Sequence, residues 1–382
     1  MCFADRDLGA SIDLSSLAEQ DIIKLLFAEN IALVFQADAS VEDTLTANEV
    51  AFHKIGEVTS SATLEIKNAD AEFSFEIEHL RDVWFKTSYL LDSKQTGNGL
   101  AKARYDNYKN HVLKYSFPLQ FDGKKPVIDA TKPRPKAAII REKGSNSERE
   151  LANAMYLAGF DVKDVHMTDL ITGRETLEDI QFIGAVGGFS NSDVLGSAKG
   201  WAGAFLYNEK ARVALEKFFA RPDTLSVGIC NGCQLFVELG LINKNHEEKP
   251  KMLHNKSGKH ESIFTSLTLQ ENNSIMLSTL AGSTLGVWVS HGEGRFSLPY
   301  AEDQYQIVAK YAYETYPASP SGSDYNTAMM CDESGRHLAM MPHIERSLFQ
   351  WHWANYPAGR KDEVSPWIEA FVNARKWIEG KG

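Results

Sequence analysis

The sequence has few cysteines and no long apolar run. Four cysteines in 382 residues are too few and too widely separated for a disulfide framework in a chain of this length, so we expect reduced thiols. No stretch of about 18 apolar residues is present, as a membrane-spanning helix would need. The first ten residues are acidic, where a secretory signal would be basic and then apolar. These absences favour a cytoplasmic protein without a membrane anchor.

Basic side chains are also in deficit. The 40 lysines and arginines, against 51 aspartates and glutamates, leave a net charge of −11. This is the wrong sign for a surface that follows nucleic-acid phosphates or anionic lipid. We therefore expect no nucleic-acid and no membrane partner. With 43% apolar and 24% charged residues, the composition is that of a folded globular protein, and the length predicts two or three domains.

The order of apolar and polar residues predicts a small α/β lobe followed by a larger one. Within the first 80 residues, helical periodicity alternates with strand-like runs, one of which is the apolar segment 31–37. Residues 76–93 suit a helix, and residues 94–135 are polar and lack periodicity, which is typical of a linker. From residue 136 strands and helices alternate, which predicts a parallel sheet with helices on both faces. Residues 201–220 read as one long helix of this region.

The most informative segment is TLSVGICNGCQLFVELG, residues 224–240. It predicts a strand, an abrupt turn at Cys230 and a helix that begins at once, which is the geometry of a nucleophile elbow. The folded-back backbone leaves no room for side chains two residues on either side, and Gly228 and Gly232 meet that demand. A helix N-terminus beside the sulfur favours the thiolate, and the next backbone N–H is placed to stabilise a developing oxyanion.

Cys233 is the alternative nucleophile. The residues two positions on either side of it are Asn231 and Leu235, which are too large for an elbow, so Cys230 is preferred. The CxxC spacing also fits a redox pair or half of a zinc site, although no second CxxC or nearby histidine pair completes a set of zinc ligands. A further alternative is that Cys230 is only a small buried apolar residue.

A thiolate nucleophile needs a group that transfers protons and a third group that orients it. His343 and Glu345 stand two residues apart, so both project from one face of an extended segment, and a carboxylate beside an imidazole fixes its tautomer. The apolar run before them predicts a buried strand that carries His343 to the edge of the sheet. Gly187 and Gly188, at the end of another predicted strand, allow close approach of the backbone to a ligand. Taken alone, each motif is also compatible with an ordinary strand or turn.

Taken together, GICNGCQ, GGFS followed by DVLG and GW, and PHIER resemble the class I glutamine amidotransferases, in particular the family of phosphoribosylformylglycinamidine synthases. The resemblance extends over essentially the whole chain. It implies a catalytic triad in which Cys230 is the nucleophile, His343 the base and acid, and Glu345 the orienting group. It also implies which residues bind glutamine or its oxyanion: Gly187, Gly188, Asn231, Gln234 and His291. The chain departs from the family pattern between GGFS and DVLG, where Asn191 and Ser192 replace the usual Tyr-Gly.

The resemblance further implies a role in purine biosynthesis. The chain would hydrolyse glutamine through a cysteine thioester and supply ammonia for the ATP-dependent conversion of formylglycinamide ribonucleotide to formylglycinamidine ribonucleotide. Residues 1–82 would form the last lobe of an aminoimidazole ribonucleotide synthetase-like region, 83–135 a helix and linker, and 136–382 the glutaminase domain.

The same resemblance implies that this chain is a C-terminal fragment or a separately encoded subunit, whose partner is the remaining synthetase region. It implies no cofactor in this chain, while ATP and Mg²⁺ are expected for the full-length enzyme. Two other functions stay open at this point. One is a different cysteine hydrolase with a nucleophile elbow, and the other is a docking portion without catalysis of its own.

Overall fold

The computed structural model describes residues 8–380. The described residues form two compact units, of which one ends at Lys94 and the other begins at Gln95. Among the described residues, no helix combines the length and the apolar composition needed to cross a bilayer. Cys2 lies outside the described residues, and the described cysteines Cys230, Cys233 and Cys331 are free thiols.

The described part of the first unit contains a four-stranded sheet in the order β2-β1-β3-β4, in which β1 and β3 are parallel. The predicted helix over residues 76–93 is confirmed as α3. The elements are β1 (Gly9–Asp13), α1 (Ile22–Phe27), α2 (Val41–Ala47), β2 (Gly56–Thr59), β3 (Thr63–Asn68), β4 (Ala71–Glu76) and α3 (Ile77–Asp92).

The predicted buried strand over residues 31–37 is wrong. These residues have no regular structure, and Ile31 and Leu33 are exposed. An apolar run becomes a strand only when a neighbouring strand satisfies its backbone hydrogen bonds. No strand in the described residues pairs with this segment.

The second unit begins with a helix inside the predicted linker and continues as alternating strands and helices. Its elements up to the sharp turn at Cys230 are α4 (Leu100–Asn107), β5 (Lys136–Arg141), β6 (Ser145–Asn146), α5 (Glu148–Ala158), β7 (Asp161–His166), α6 (Met167–Thr172), β8 (Phe182–Ala185), β9 (Gly187–Gly188), α7 (Lys199–Tyr207), α8 (Glu209–Ala220) and β10 (Leu225–Ile229). After the turn follow α9 (Asn231–Glu238), β11 (Lys251–Leu253), β12 (Glu261–Leu269), β13 (Thr284–His291), β14 (Arg295–Ser297), β15 (Gln306–Tyr311), β16 (Thr327–Cys331), β17 (His337–Met340) and α10 (Ile368–Ile378).

In the described part of this unit, nine strands form one mixed sheet in the order β13-β12-β15-β16-β17-β10-β8-β5-β7. The strands from β17 to β7 are mutually parallel, which confirms the predicted α/β fold class. The strands from β16 to β13 extend this sheet as antiparallel neighbours. The alternation of strands and helices does not predict this extension, because between β12 and β17 the described chain has short 3₁₀ turns but no α-helix.

Helices cover both faces of the parallel half. A Cβ atom built on Gly184 of β8 would lie 2.7 Å from Leu151 of α5, whereas Ala185 contacts Gly232 of α9. Successive residues of a strand point to opposite faces, so α5 and α9 pack on different sides of the sheet. Strands buried on both faces are mostly apolar, and β10 is buried at every residue, with Ser226 as its one polar side chain.

The long helix predicted over residues 201–220 is interrupted. Asn208 has extended backbone angles, φ −112° and ψ 116°, and separates α7 from α8. Its side-chain oxygen accepts a hydrogen bond from the backbone N–H of Ala211 at 3.0 Å. Asparagine favours this capping arrangement over the interior of a helix, which explains the break.

Candidate active site

The carboxyl ends of β8, β10 and β17 meet at one edge of the sheet, and Cys230 lies there between β10 and α9. Its φ of 52° and ψ of −103° place it in a region that residues other than glycine rarely adopt. Its backbone N–H donates to the carbonyl of Met340 at 2.8 Å. The predicted abrupt turn from strand to helix is therefore present at this cysteine.

The two glycines that flank Cys230 are required by close packing. A Cβ atom on Gly228 would lie 2.5 Å from the carbonyl oxygen of Gly232. A Cβ atom on Gly232 would lie 2.1 Å from the carbonyl oxygen of Ala185. In both cases the obstacle is backbone, which cannot move aside without opening the turn.

We therefore expect Gly232→Ala to destabilise the protein by about 3 kcal/mol or more, because the added methyl forces α9 away from β8. The matched control is Gly203→Ala in α7, where the nearest atom, on Tyr207, lies 3.8 Å from the new Cβ. That variant gains about 0.5–1 kcal/mol from helix propensity. Urea unfolding measures both, and equal stability of the two variants would contradict the packing argument.

Cys230, His343 and Glu345 come together in the structure. The Nδ1 atom of His343 lies 2.6 Å from Oε1 of Glu345, and both side chains are buried. A Cβ atom built on Gly187 would lie 2.9 Å from Cε1 of His343 and 3.4 Å from Cβ of Cys230, so these two side chains lie close together. Because Glu345 occupies Nδ1, Nε2 is the ring atom that remains for the sulfur.

The local structure around His343 differs from the extended segment that the sequence predicts. β17 is confirmed as a buried strand, but a short 3₁₀ turn, Ile344–Arg346, follows His343. The turn folds Glu345 back onto the imidazole. The backbone N–H of His343 also donates to the carbonyl of Trp288 at 2.8 Å. This hydrogen bond fixes the backbone from which the imidazole ring extends.

The environment of His343 favours the charged imidazolium. Burial alone would lower the pKa of the ring, but the charge of Glu345 and the hydrogen bond and charge of Cys230 raise it to about 10. At neutral pH the ring is therefore an imidazolium beside the sulfur. Such a partner stabilises a thiolate and holds the proton that a leaving amine needs.

The other described thiols lack this environment. Cys233 is fully buried in the first turn of α9, and burial raises its pKa well above the usual value. Burial likewise raises the pKa of Cys331 to about 12. Both stay protonated at neutral pH and are poor nucleophiles.

A pocket of about 120 Å³ adjoins the sulfur. The predicted site residues Gly188, Cys230, Gln234, His291 and His343 line it, whereas Gly187, Asn231 and Glu345 do not. Its full lining consists of Asn146, Gly188, Phe189, Asp193, Ser197, Cys230, Gln234, Ser290, His291, Gly292, Glu293, His343 and Arg346. Three further lining residues, Asp193, Glu293 and Arg346, stand inside the motifs DVLG, HGEGR and PHIER, but nothing in those motifs marks them as site residues.

The backbone N–H groups of Gly187, Gly188 and Asn231, near the predicted oxyanion, differ in their surroundings. The N–H of Gly187 donates to the hydroxyl of Ser147 at 3.3 Å. Gly188 has a φ of 111°, and a Cβ atom there would lie 2.6 Å from the backbone nitrogen of Asn146. Asn231 begins α9, where the first N–H groups have no partner within the helix.

The side chains of Asn231 and Gln234 are hydrogen-bonded to each other. Asn231 donates to Oε1 of Gln234 at 2.9 Å, and Gln234 donates to the carbonyl of Glu293 at 2.8 Å. Asn191 and Ser192, which replace Tyr-Gly of the family pattern, both adopt left-handed angles, with φ of 52° and 57°. The loop thus has a conformation in which glycine would be free of strain.

His291 lines the pocket and has one ring nitrogen without a hydrogen-bond partner. Its Nδ1 lies 3.0 Å from Oδ1 of Asn255, which also accepts from the N–H of Gly294. Nδ1 therefore carries the proton, and the buried Nε2 has no hydrogen-bond partner. Burial, and then the charge of His343, lower the pKa of His291 to about 3, so the ring stays neutral.

Comparisons with known proteins point to the same family as the sequence motifs. The chain is 36% identical over 411 residues to a protein named probable phosphoribosylformylglycinamidine synthase, chloroplastic/mitochondrial, from Arabidopsis thaliana, which covers 99% of this chain and 29% of that protein. It is 34% identical over 417 residues to phosphoribosylformylglycinamidine synthase of Homo sapiens, covering 100% of this chain and 31% of that protein. The chain thus spans about three tenths of the length of these relatives. A cytoplasmic location stays a prediction, because the plant relative's name places that protein in organelles.

The fold has a solved counterpart, titled structure of PurLQS from Thermotoga maritima. The two superpose with a TM-score of 0.51 at 24% identity, covering 64% of this chain and all of the other. Residues 134–378 match the family described as CobB/CobQ-like glutamine amidotransferase domain, which confirms the resemblance inferred from the motifs. The chain belongs to this glutamine amidotransferase family.

Proposed function

We propose that this chain is the glutaminase part of a phosphoribosylformylglycinamidine synthase of purine biosynthesis. The observation that carries the proposal is Cys230 on a nucleophile elbow next to the hydrogen-bonded pair His343 and Glu345, beside a pocket of about 120 Å³. The pocket also carries charge of both signs, from Asp193 and Glu293 and from Arg346, which suits a zwitterionic amino acid.

The chemistry follows from these positions. The Cys230 thiolate attacks the side-chain amide carbon of glutamine, and the carbonyl oxygen becomes an oxyanion within reach of the N–H groups of Gly188 and Asn231. His343 then gives its proton to the amide nitrogen, the C–N bond breaks, and ammonia leaves a glutamyl thioester on the sulfur. Glu345 keeps the ring oriented and compensates its charge.

The second half of the cycle regenerates the thiolate. Neutral His343 takes a proton from water as the water oxygen attacks the thioester carbon. The C–S bond breaks, glutamate leaves, and the pair returns to thiolate and imidazolium. In the complete enzyme the ammonia would react in the synthetase region, which would use ATP and Mg²⁺ and of which residues 1–82 would be the last lobe. An internal route would keep the ammonia unprotonated, whereas free ammonia in neutral water is mostly ammonium, which cannot attack.

Covalent labelling tests the nucleophile and the substrate class together. Acivicin, a glutamine analogue that alkylates thiols, is expected to add once to Cys230, and free glutamine should protect against it. Peptide mass spectrometry locates the adduct. Labelling of Cys230 by iodoacetamide but not by acivicin would contradict the proposal and favour a cysteine hydrolase with another substrate.

Turnover separates catalysis by this chain from a docking role. We expect the chain to release ammonia from glutamine, measured with a coupled glutamate assay. Turnover that appears only after the remaining synthetase region is added would show that this chain works only in the complete enzyme. No turnover under either condition would refute the glutaminase assignment.

A further inference from the structure

Two carboxylates of the pocket have no part in the chemistry above. Asp193 accepts hydrogen bonds from the N–H of Ala198 at 3.2 Å, from the amide of Asn231 at 3.3 Å and from the hydroxyl of Ser190 at 3.5 Å. All three donors are neutral. They hold the carboxylate in place but leave its negative charge unbalanced.

Glu293 lies in the same pocket and is also held by a neutral donor. Its Oε2 accepts from the N–H of Ser197 at 3.2 Å. The nearest basic group is Nδ1 of His254 at 3.9 Å, on a side chain that is 80% exposed. Among residues 8–380, no lysine or arginine forms a salt bridge with either carboxylate.

The charge of Glu293 acts on Asp193. Burial, with a further contribution from the charge of Glu293, raises the pKa of Asp193. Like charges that share a partly dehydrated site are destabilising unless a cation lies between them. The pocket is therefore preorganised for a positively charged group.

A separate observation also indicates a ligand with hydrogen-bond donors. His291 lines the same pocket and is 2% exposed, and its Nε2 is an acceptor without a partner. A buried acceptor left unpaired is costly, so a bound molecule that donates to it is favoured. A metal ion fits less well, because the described residues contain no group of three or more His, Cys, Asp and Glu side chains arranged to hold one.

We propose that Asp193 and Glu293 bind the α-ammonium group of the substrate amino acid, and that Nε2 of His291 accepts one of the substrate's N–H groups. A primary ammonium supplies a positive charge and three N–H donors, which match acceptors that have no cation of their own. This inference rests on the proposed glutaminase function and adds the feature that selects the substrate. Free glutamine is accepted, whereas glutamine whose amino group is blocked in a peptide bond is not.

The test compares glutamine with glutaramate, which is the same molecule without the α-amino group. We expect the original protein to prefer glutamine in kcat/KM by about a hundredfold, the size typical of a charge-assisted contact in a dehydrated site. In Asp193→Asn and Glu293→Gln the preference should shrink to a few-fold, through a higher KM for glutamine. The kcat/KM for glutaramate should stay within a few-fold of the original.

Two controls separate recognition of the ammonium from damage to the pocket. Glu178→Gln removes an exposed carboxylate that pairs with Lys217 at 3.6 Å, and it should keep the full preference. Iodoacetamide carries no ammonium, so its rate of reaction with Cys230 should be equal in all variants. Protection of Cys230 from iodoacetamide by glutamine, but not by glutaramate, reports binding without requiring turnover.

The outcomes are distinguishable. Equal losses of kcat/KM for both amides in the Asp193 and Glu293 variants would overturn the inference and leave the glutaminase function standing. An original protein that neither binds nor hydrolyses glutamine, while Cys230 still reacts with iodoacetamide, would overturn the proposed function and the inference together. If the Asp193 and Glu293 variants lose the preference for glutamine over glutaramate and the Glu178 variant keeps it, the result supports binding of the α-ammonium group by Asp193 and Glu293.

Discussion

Replacement of Cys230 by alanine is expected to lower glutamine hydrolysis by at least about a thousandfold while the protein keeps its fold. In the proposed mechanism this sulfur captures the amide carbon, and burial raises the pKa of the other two described thiols, Cys233 and Cys331. The fold should persist because alanine keeps the Cβ atom at the same backbone angles, and outside the triad the removed sulfur makes a long contact, 3.5 Å, with the carbonyl oxygen of Ser290. Released ammonia and urea unfolding measure the two effects.

Cys233→Ala is the matched control. Cys233 is fully buried, so its removal should cost about 1 kcal/mol of stability through lost packing and leave turnover within a few-fold. The two cysteines are three residues apart in the sequence, but only Cys230 lies beside His343. The opposite result, an inactive Cys233→Ala and an active Cys230→Ala, would show that Cys233 and not Cys230 is the nucleophile.

The same substitution in the full-length enzyme tests the division of labour. Glutamine-dependent synthesis should disappear in Cys230→Ala, whereas synthesis supplied with ammonium salts should remain, because the synthetase region does not use this sulfur. Loss of both activities would show that the two halves do not work independently.

The elbow could be predicted from sequence because its requirements are local. Gly228 and Gly232 are needed at fixed positions around Cys230, and the structure shows backbone atoms where side chains would lie. The parallel half of the sheet could be predicted for a similar reason, since each of its strands reads as an apolar run followed by a helix. The segment 31–37 shows the limit of this reasoning, because its apolar pattern indicates a strand but not whether a partner strand is available.

The assembly of the pocket could not be predicted, because it depends on pairing between distant segments. β13 and β17 are separated by three strands in the sheet, yet Trp288 of β13 bonds to His343 just beyond β17. The antiparallel extension therefore curves back and places His291 beside Cys230. Register between such strands is fixed by tertiary packing rather than by local sequence, which is why the roles of Asp193 and Glu293 emerge only from the structure.

Glu345→Gln is expected to reduce kcat at neutral pH by at least about a hundredfold. The charge of Glu345 is the largest of the effects that raise the pKa of His343, while burial opposes them. Without that charge, burial lowers the pKa of His343. The imidazolium that protonates the leaving nitrogen then loses its proton at a lower pH than in the unsubstituted protein. An amide can also donate to Nδ1 and so hold the ring in the tautomer that cannot accept a proton at Nε2.

The pH dependence distinguishes this role from a merely structural one. Below saturation, kcat/KM reports the titrating groups of the free enzyme. In the original protein the alkaline limb should lie near pH 10, where His343 loses its proton, and in Glu345→Gln it should move to lower pH. Glu150→Gln is the control: Glu150 lies 3.5 Å from Arg346, one salt bridge away from the triad, and its removal should leave the limb in place. An unchanged limb in Glu345→Gln would mean that Glu345 positions the ring without setting its charge, since a carboxylate that stabilises the imidazolium cannot be removed without shifting this equilibrium.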